Sequence, residues 1–244
     1  MKLLASGDTA LVVEFGDTVD RQINAQVLAL AERVDAAAIA GIVETVPTFR
    51  SLMIHYDPTV LPGRVLRGHV ERLLDGLEGV ELSGDDWVLP TCYEGEDLAP
   101  DLEGVARGTG LDPAEVVALH SATTYRVYCL GFLPGYPYMG DTPDKLMLPR
   151  RETPRVRVPM GSVCIAVGLT GVYSLDSPGG WHLIARTPVR LFELRRPRAV
   201  LLKPGDRVRF APVPREVFDE LEARAAEGRL PADPVELAAL GRAA

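Results

Sequence analysis

The chain has 244 residues, 47% of them apolar and 25% charged, and a formal net charge of −8. That balance belongs to a globular protein and excludes a disordered or collagen-like chain. The length predicts two domains, and no apolar run reaches the roughly 18 residues a membrane-spanning helix needs.

Residues 9–15 read as a strand, rich in apolar and β-branched side chains. Val19, Ile23, Val27, Leu30 and Val34 recur at spacings of three and four, which predicts a helix over 18–34 capped by Asp17 or Thr18. Strands follow at 42–46 and 51–56, then a helix at 63–77. This order predicts a small α+β sandwich over residues 1–82, with helices on one face of the sheet. Gly79, Gly84, Pro90, Gly95 and Pro100 punctuate an acidic stretch. Residues 83–124 therefore read as a linker carrying short helices at 100–108 and 113–121, the second with Asp112 as cap and Pro113 at its first position. From Tyr125 the texture changes to short β-rich pieces at 125–130, 162–168, 181–185, 189–194, 199–202 and 207–210. Such spacing predicts a β-barrel or sandwich over 125–244. The tail reads as helical at 214–226 and again at 234–240.

Charge is unevenly placed. Residues 121–215 hold 15 Lys and Arg against 6 Asp and Glu, whereas the rest is strongly acidic. A basic segment in an acidic chain suggests an anion-facing site or pairing with the acidic part. Nucleic acid fits poorly, because no RNA- or DNA-binding signature accompanies the arginines. Lys2, Lys145 and Lys203 are the only lysines, which leaves few candidates for a Schiff base. Cys92, Cys129 and Cys164 form no CxxC pair, arguing against a disulfide framework or a zinc site. No metal site is expected. The first residues turn polar too soon for a signal peptide, so a reducing cytoplasm is expected.

Three motifs can carry chemistry. The first runs from Gly131 through Phe132, Leu133, Pro134, Gly135, Tyr136, Pro137 and Tyr138 to Met139. Glycine and proline at that density predict a loop excluded from any ladder, with aromatic faces and free N–H groups lining a pocket. The second is Pro149 to Pro159, with four arginines in eight residues held extended by prolines. In an extended chain Arg151, Arg155 and Arg157 point one way and Arg150 the other. Guanidinium groups bind carboxylate or phosphate bidentately, although a charged edge strand would read alike. The third holds Ser177, Pro178, Gly179, Gly180, Trp181 and His182, then Ala185, Arg186, Thr187 and Pro188. Histidine is the side chain suited to act as an acid or base, which makes His182 a candidate, yet a lone histidine beside a tryptophan is more often structural. There is no GxxxxGK[ST], GxSxG, HExxH or strand–GxGxxG–helix unit. No complete acid–base–nucleophile set is visible.

These motifs resemble the KipI / 5-oxoprolinase B-subunit family, also called allophanate hydrolase subunit 1 and carboxyltransferase subdomain. Gly131 to Met139, Pro149–Arg151, Pro154–Arg155, Gly161–Val163, Thr170–Tyr173, Ser177–Trp181 and Arg186–Pro188 follow the family pattern. So do Gly7–Leu11, Tyr56–Pro58, Cys92–Tyr93 and Asp101–Leu102. The resemblance implies an α+β N-terminal domain followed by a cyclophilin-like β-barrel C-terminal domain. It implies one component of a complex hydrolysing 5-oxoproline to glutamate with ATP, and Mg2+ alongside it, the nucleotide bound on a partner subunit or shared with one. The implied partners are the KipA-like C subunit of 5-oxoprolinase and a lamB/YcsF-type A subunit. Relatives read as inhibitors of a sensor histidine kinase or as parts of urea-metabolising carboxylases supply two alternatives. On the oxoprolinase reading Arg150, Arg151, Arg155 and Arg186 are the anion- or substrate-binding candidates. Gly131, Phe132, Pro134, Gly135, Tyr138, Tyr173, Ser177, Gly179, Gly180, Trp181 and His182 are expected to shape the pocket. The chain departs from the pattern at Leu169, where glutamine is usual, and at Met160, Ser174 and Ala185.

Overall fold

Residues 1–83 and 84–244 form separate units in the computed structural model, which describes residues 1–80 and 84–240. The domain boundary expected at 82–83 lies outside the described residues. In the first unit, β1 (Lys2–Ser6), β2 (Ala10–Glu14), β3 (Ile42–Pro47) and β4 (Ser51–Tyr56) form an antiparallel sheet of order β1-β2-β4-β3. Leu11, Val13, Leu52 and Ile54 alternate onto one face. That face packs against α1 (Arg21–Ala36) and α2 (Gly63–Leu73) through Val27, Leu30, Val34, Leu66 and Val70. The expected strands are present at 10–14, 42–47 and 51–56. β1 was not anticipated, because four of its five residues are exposed and it has no apolar alternation. The cap of α1 is Asp20 rather than Asp17 or Thr18: its carboxylate accepts from the N–H groups of Gln22 and Ile23 at 2.8 and 3.0 Å.

The second unit is built on seven strands: β5 (Asp86–Thr91), β6 (Tyr125–Leu130), β7 (Pro137–Gly140), β9 (Ser162–Ala166), β10 (Leu169–Val172), β12 (His182–Arg186) and β13 (Arg207–Pro212). Their order is β12-β9-β10-β7-β6-β13-β5. The two edges meet: Cys92 N–H donates to Arg186 C=O at 2.8 Å and Arg186 N–H to Cys92 C=O at 2.9 Å. This bridge makes the sheet barrel-like, which removes exposed edges. A separate ribbon pairs β8 (Arg155–Val158) with β11 (Ser177–Gly179). Residues 83–124, set apart above as a linker, instead supply β5, α3 (Leu102–Thr109) and α4 (Pro113–Ala122) to this unit. β5 pairs in parallel with β13, a partner more than a hundred residues downstream that no local pattern reveals. Residues 189–194 and 199–202 form no ladder strand and meet only at the Phe192–Val200 bridge. The last elements among the described residues are α5 (Arg215–Ala226) and α6 (Pro234–Leu240).

Alternation along the barrel strands sorts residues between two sides. Trp87, Leu89, Tyr125, Val127, Met139, Val163, Ile165, Val172, Ile184, Val208 and Phe210 fill the interior. Tyr138, Cys164, Ala166, Leu169 and Leu183 face outward.

Candidate functional site

The outward set makes a second, smaller core with Tyr136, Val158, Tyr173 and Trp181. It lies beneath the β8–β11 ribbon and the loop joining β6 to β7. Aromatic edges meet faces throughout: Tyr136 sits 5.0 Å from Tyr138, 5.3 Å from Tyr173 and 6.3 Å from Trp181 between ring centroids. Gly171 permits this, because a Cβ there would stand 2.5 Å from the Tyr136 hydroxyl. Gly179 is held likewise, since a Cβ would run into the Tyr173 hydroxyl. The cleft over these rings measures about 300 Å³, and Phe132, Tyr136, Tyr138, Arg150, Arg151, Pro154, Tyr173, Pro178, Gly179, Gly180 and Trp181 line it.

The loop expected to stay out of any ladder is split. Residues 131–136 are irregular, but Pro137 opens β7, where its missing N–H costs nothing because it is the first strand residue. Phe132 has φ +67 and is 60% exposed, and Leu133 N–H donates to Gly131 C=O across it at 2.8 Å. That is a tight three-residue turn carrying a bulky residue in the left-handed region, a strained arrangement. It holds the Phe132 ring at the mouth, edge-on to Tyr136 and Tyr173. Pro134 is exposed and lies off the cleft. Gly135 turns away from it toward Leu191 and Phe192. Gly131 and Ser177 shape the backbone without lining the space.

The arginines divide. Arg150 stands 6.0 Å from the Trp181 ring centroid and has no carboxylate partner among the described residues. Arg151 also reaches the cleft, but its Nη1 donates to Asp101 Oδ1 at 2.6 Å. Arg155 grips the same carboxylate through two hydrogen bonds of 2.7 and 2.9 Å and does not line the cleft. Arg157, expected to point with them, pairs instead with the exposed Asp176 at 2.7 Å. Arg186 lies outside this cleft, where it meets Met160 C=O at 3.0 Å, Glu222 at 3.0 Å and the face of Phe218. Much of the basic segment is thus answered by acidic residues that flank it in sequence, including Asp86, Asp97, Asp101 and Glu222. His182 does not face the cleft as an acid or base; its Nε2 bonds Pro149 C=O at 2.9 Å and fixes the approach to Arg150.

Tyr136, Pro154 and Pro178 line the cleft and were missed as individual residues, although each lies inside a motif already singled out. Asp101 was missed as a site residue altogether. Its partners lie 50, 54 and 82 positions away, beyond any local pattern. Burial pushes the Tyr136, Tyr138 and Tyr173 hydroxyls above their usual range. They therefore stay protonated at neutral pH and act as hydrogen-bonding walls, not bases. Cys164 beneath them is pushed up to about 12 by burial, so its thiol is inert. No group of His, Cys, Asp and Glu among the described residues is arranged to hold a metal ion, and no described helix is long and apolar enough to cross a membrane.

Residues 1–202 match the family of the carboxyltransferase domain, subdomains C and D. The 5-oxoprolinase B subunit of Bacillus subtilis (strain 168) is 38% identical over 215 residues, covering 84% of this chain and 89% of the relative. The chain belongs to the 5-oxoprolinase B-subunit family. Among solved structures, that of TTHA0988 is 40% identical with a TM-score of 0.74 over 84% of this chain. This chain spans only 40% of the length of that protein. The Kluyveromyces lactis urea amidolyase aligns with 93% of this chain and 16% of its own length at a TM-score of 0.75, but at 20% identity it shares the fold alone. The match spans the first unit, the second as far as residue 202, and the stretches that hold all three motifs.

Proposed function

We propose that the chain is one component of an ATP-dependent 5-oxoprolinase, and that its outer cleft receives the five-membered ring and carboxylate of 5-oxo-L-proline. A C subunit of the KipA-like type and an A subunit of the lamB/YcsF type would complete the complex in the cytoplasm. The second unit is read as the cyclophilin-like barrel of that assembly. One observation carries the reading: an aromatic cleft of about 300 Å³ with Arg150, unpaired among the described residues, at its rim. Flat ring faces suit a small planar lactam, and a guanidinium suits its carboxylate. The name borne by relatives at 34–39% identity supports the same substrate.

A lactam resists water because its carbonyl is resonance-stabilised. Transfer of the γ-phosphoryl group of ATP to the lactam oxygen releases ADP and makes the carbon electrophilic; water then attacks that carbon, its C–N bond breaks to open the ring, and loss of phosphate leaves glutamate. This chain's part would be to hold the ring by its aromatic walls, bind the carboxylate at Arg150 with Arg151 beside it, and keep water off the rings. The sequence has no P-loop, and the cleft tyrosines stay protonated, so ATP and the proton-transferring groups are assigned to a partner or a shared interface. The test is glutamate release from 5-oxo-L-proline with ATP and Mg2+, by the chain alone and with both partner subunits. Release only from the three-part mixture supports the proposal. Folded subunits that form no glutamate in any mixture overturn it.

A further inference from the structure

One wall of the cleft is formed by Pro178 and Gly179 of the β8–β11 ribbon with Pro154 and Gly180, which flank its strands. A lone two-stranded ribbon is marginal in water, so its placement depends on what ties it to the barrel. The internal ties, Arg157 to Asp176 and Arg151 N–H to Gly180 C=O at 2.8 Å, hold the ribbon and its approach together but not to the barrel. Asp101, at the start of α3 and only 6% exposed, does reach across. One of its oxygens accepts from Arg151 Nη1 and Arg155 Nη2 at 2.6 and 2.9 Å. The other accepts from Arg155 Nη1 and from the Leu183 N–H of β12, both at 2.7 Å. Its own N–H donates to Leu183 C=O at 2.9 Å. One carboxylate therefore joins α3, the arginine loop, β8 and β12.

We propose that Asp101 is a positioning residue that latches the ribbon to the barrel and so sets the width of the cleft and the place of Arg151. Asp101 does not line the cleft; it acts through the two arginines. Burial works against its charge, but the Arg155 hydrogen bond, the Leu183 amide and the charges of Arg155 and Arg151 outweigh burial and hold it below the usual carboxylate range. The latch is thus closed at every pH near neutrality. Asparagine at 101 would keep the size but could not answer two guanidinium groups, whereas glutamate would keep the charge on a longer arm.

The consequence for ligand rests on the oxoprolinase reading; the latch itself does not. The test is therefore double. Hydrogen exchange in Asp101→Asn is expected to speed at least tenfold at amides of residues 151–158 and 177–180, with β6 and β13 unchanged. Titration with 5-oxo-L-proline, followed by fluorescence of Trp181 in the full chain and in the reconstituted complex, is expected to give a Kd at least tenfold higher in Asp101→Asn. Asp101→Glu should restore much of that affinity, and in the complex KM should rise more than kcat falls. Unchanged ribbon exchange, or exchange raised equally through the barrel, overturns the latch. A loosened ribbon with wild-type affinity for 5-oxo-L-proline overturns its positioning role. A loosened ribbon in a protein whose wild type binds no 5-oxo-L-proline, alone or in complex, leaves the latch standing and removes the proposed substrate.

Discussion

The same barrel strands build two unlike environments. Inside, His120 is completely buried, stacked 4.7 Å from Phe210, with its Nδ1 2.7 Å from the Tyr93 hydroxyl and its Nε2 3.1 Å from Thr170 Oγ1. Thr170 donates its own hydroxyl proton to Cys164 C=O at 3.0 Å, so it accepts from His120 Nε2–H and Tyr93 donates to Nδ1. Every polar group there is answered, and burial drives His120 down to about 3, which keeps it neutral. Outside, the rings of Phe132 and Tyr138 remain partly open and Arg150 has no carboxylate partner among the described residues. The histidine with the most perturbed chemistry is therefore structural, while the functional candidates are groups the fold leaves unanswered. Perturbation marks burial; an unanswered cation beside open aromatic faces marks a place for a ligand.

The largest expected effect tests the inside. His120 has a folded pKa below its unfolded value of 6.5, so the unfolded chain binds the extra proton between those values. Its contribution is complete above pH 6.5 and declines as pH falls toward about 3, by about 4–5 kcal/mol in full and about 2 kcal/mol by pH 5. Urea unfolding at pH 7.5 and pH 5 should show that loss, and His120→Phe should flatten it. An equal slope in the variant would mean other groups carry it. Of comparable size, Arg155→Ala leaves buried Asp101 half-answered and should cost about 3 kcal/mol. An unchanged melting temperature would show that pair to be dispensable.

Smaller effects sharpen the outside. Arg150→Ala should lower the affinity for 5-oxo-L-proline about 10- to 100-fold, the worth of a charge-assisted hydrogen bond. Its melting temperature should stay within error of wild type, because the side chain is exposed and only stacks on Trp181. Unfolding of this variant would make Arg150 a structural residue. Gly179→Ala pushes against Tyr173 and should cost about 1 kcal/mol while narrowing the cleft. At the ribbon's solvent side, Val156 is 89% exposed, so Val156→Thr should change stability by less than about 0.5 kcal/mol.

How much of this was legible depended on sequence distance. Apart from β1, the strands and helices of the first unit followed from periodicity, since apolar residues at β2, β4 and α1 recur as the buried faces require. The cleft's aromatics and Arg150 lie in compact motifs, so the site was visible as pieces: residues 131–139, 149–159 and 177–182 do come together. What stayed hidden was pairing at long range. β5 read as linker because its partner lies at 207–212. Arg155 and Arg186 read as anion sites because arginine spacing cannot reveal that Asp101 and Glu222 already answer them. Alternation gave Arg155 and Arg157 one direction, but not the separate carboxylates that each meets.

The most direct test follows aromatic proton resonances while 5-oxo-L-proline is added, to the chain alone and to the reconstituted complex. Shifts are expected at Tyr136, Tyr138, Tyr173 and Trp181 in at least one of these, with Tyr125, His120 and Phe210 unmoved. Shifts confined to the barrel interior, or none in either sample, would contradict the assignment of the outer cleft as the substrate site.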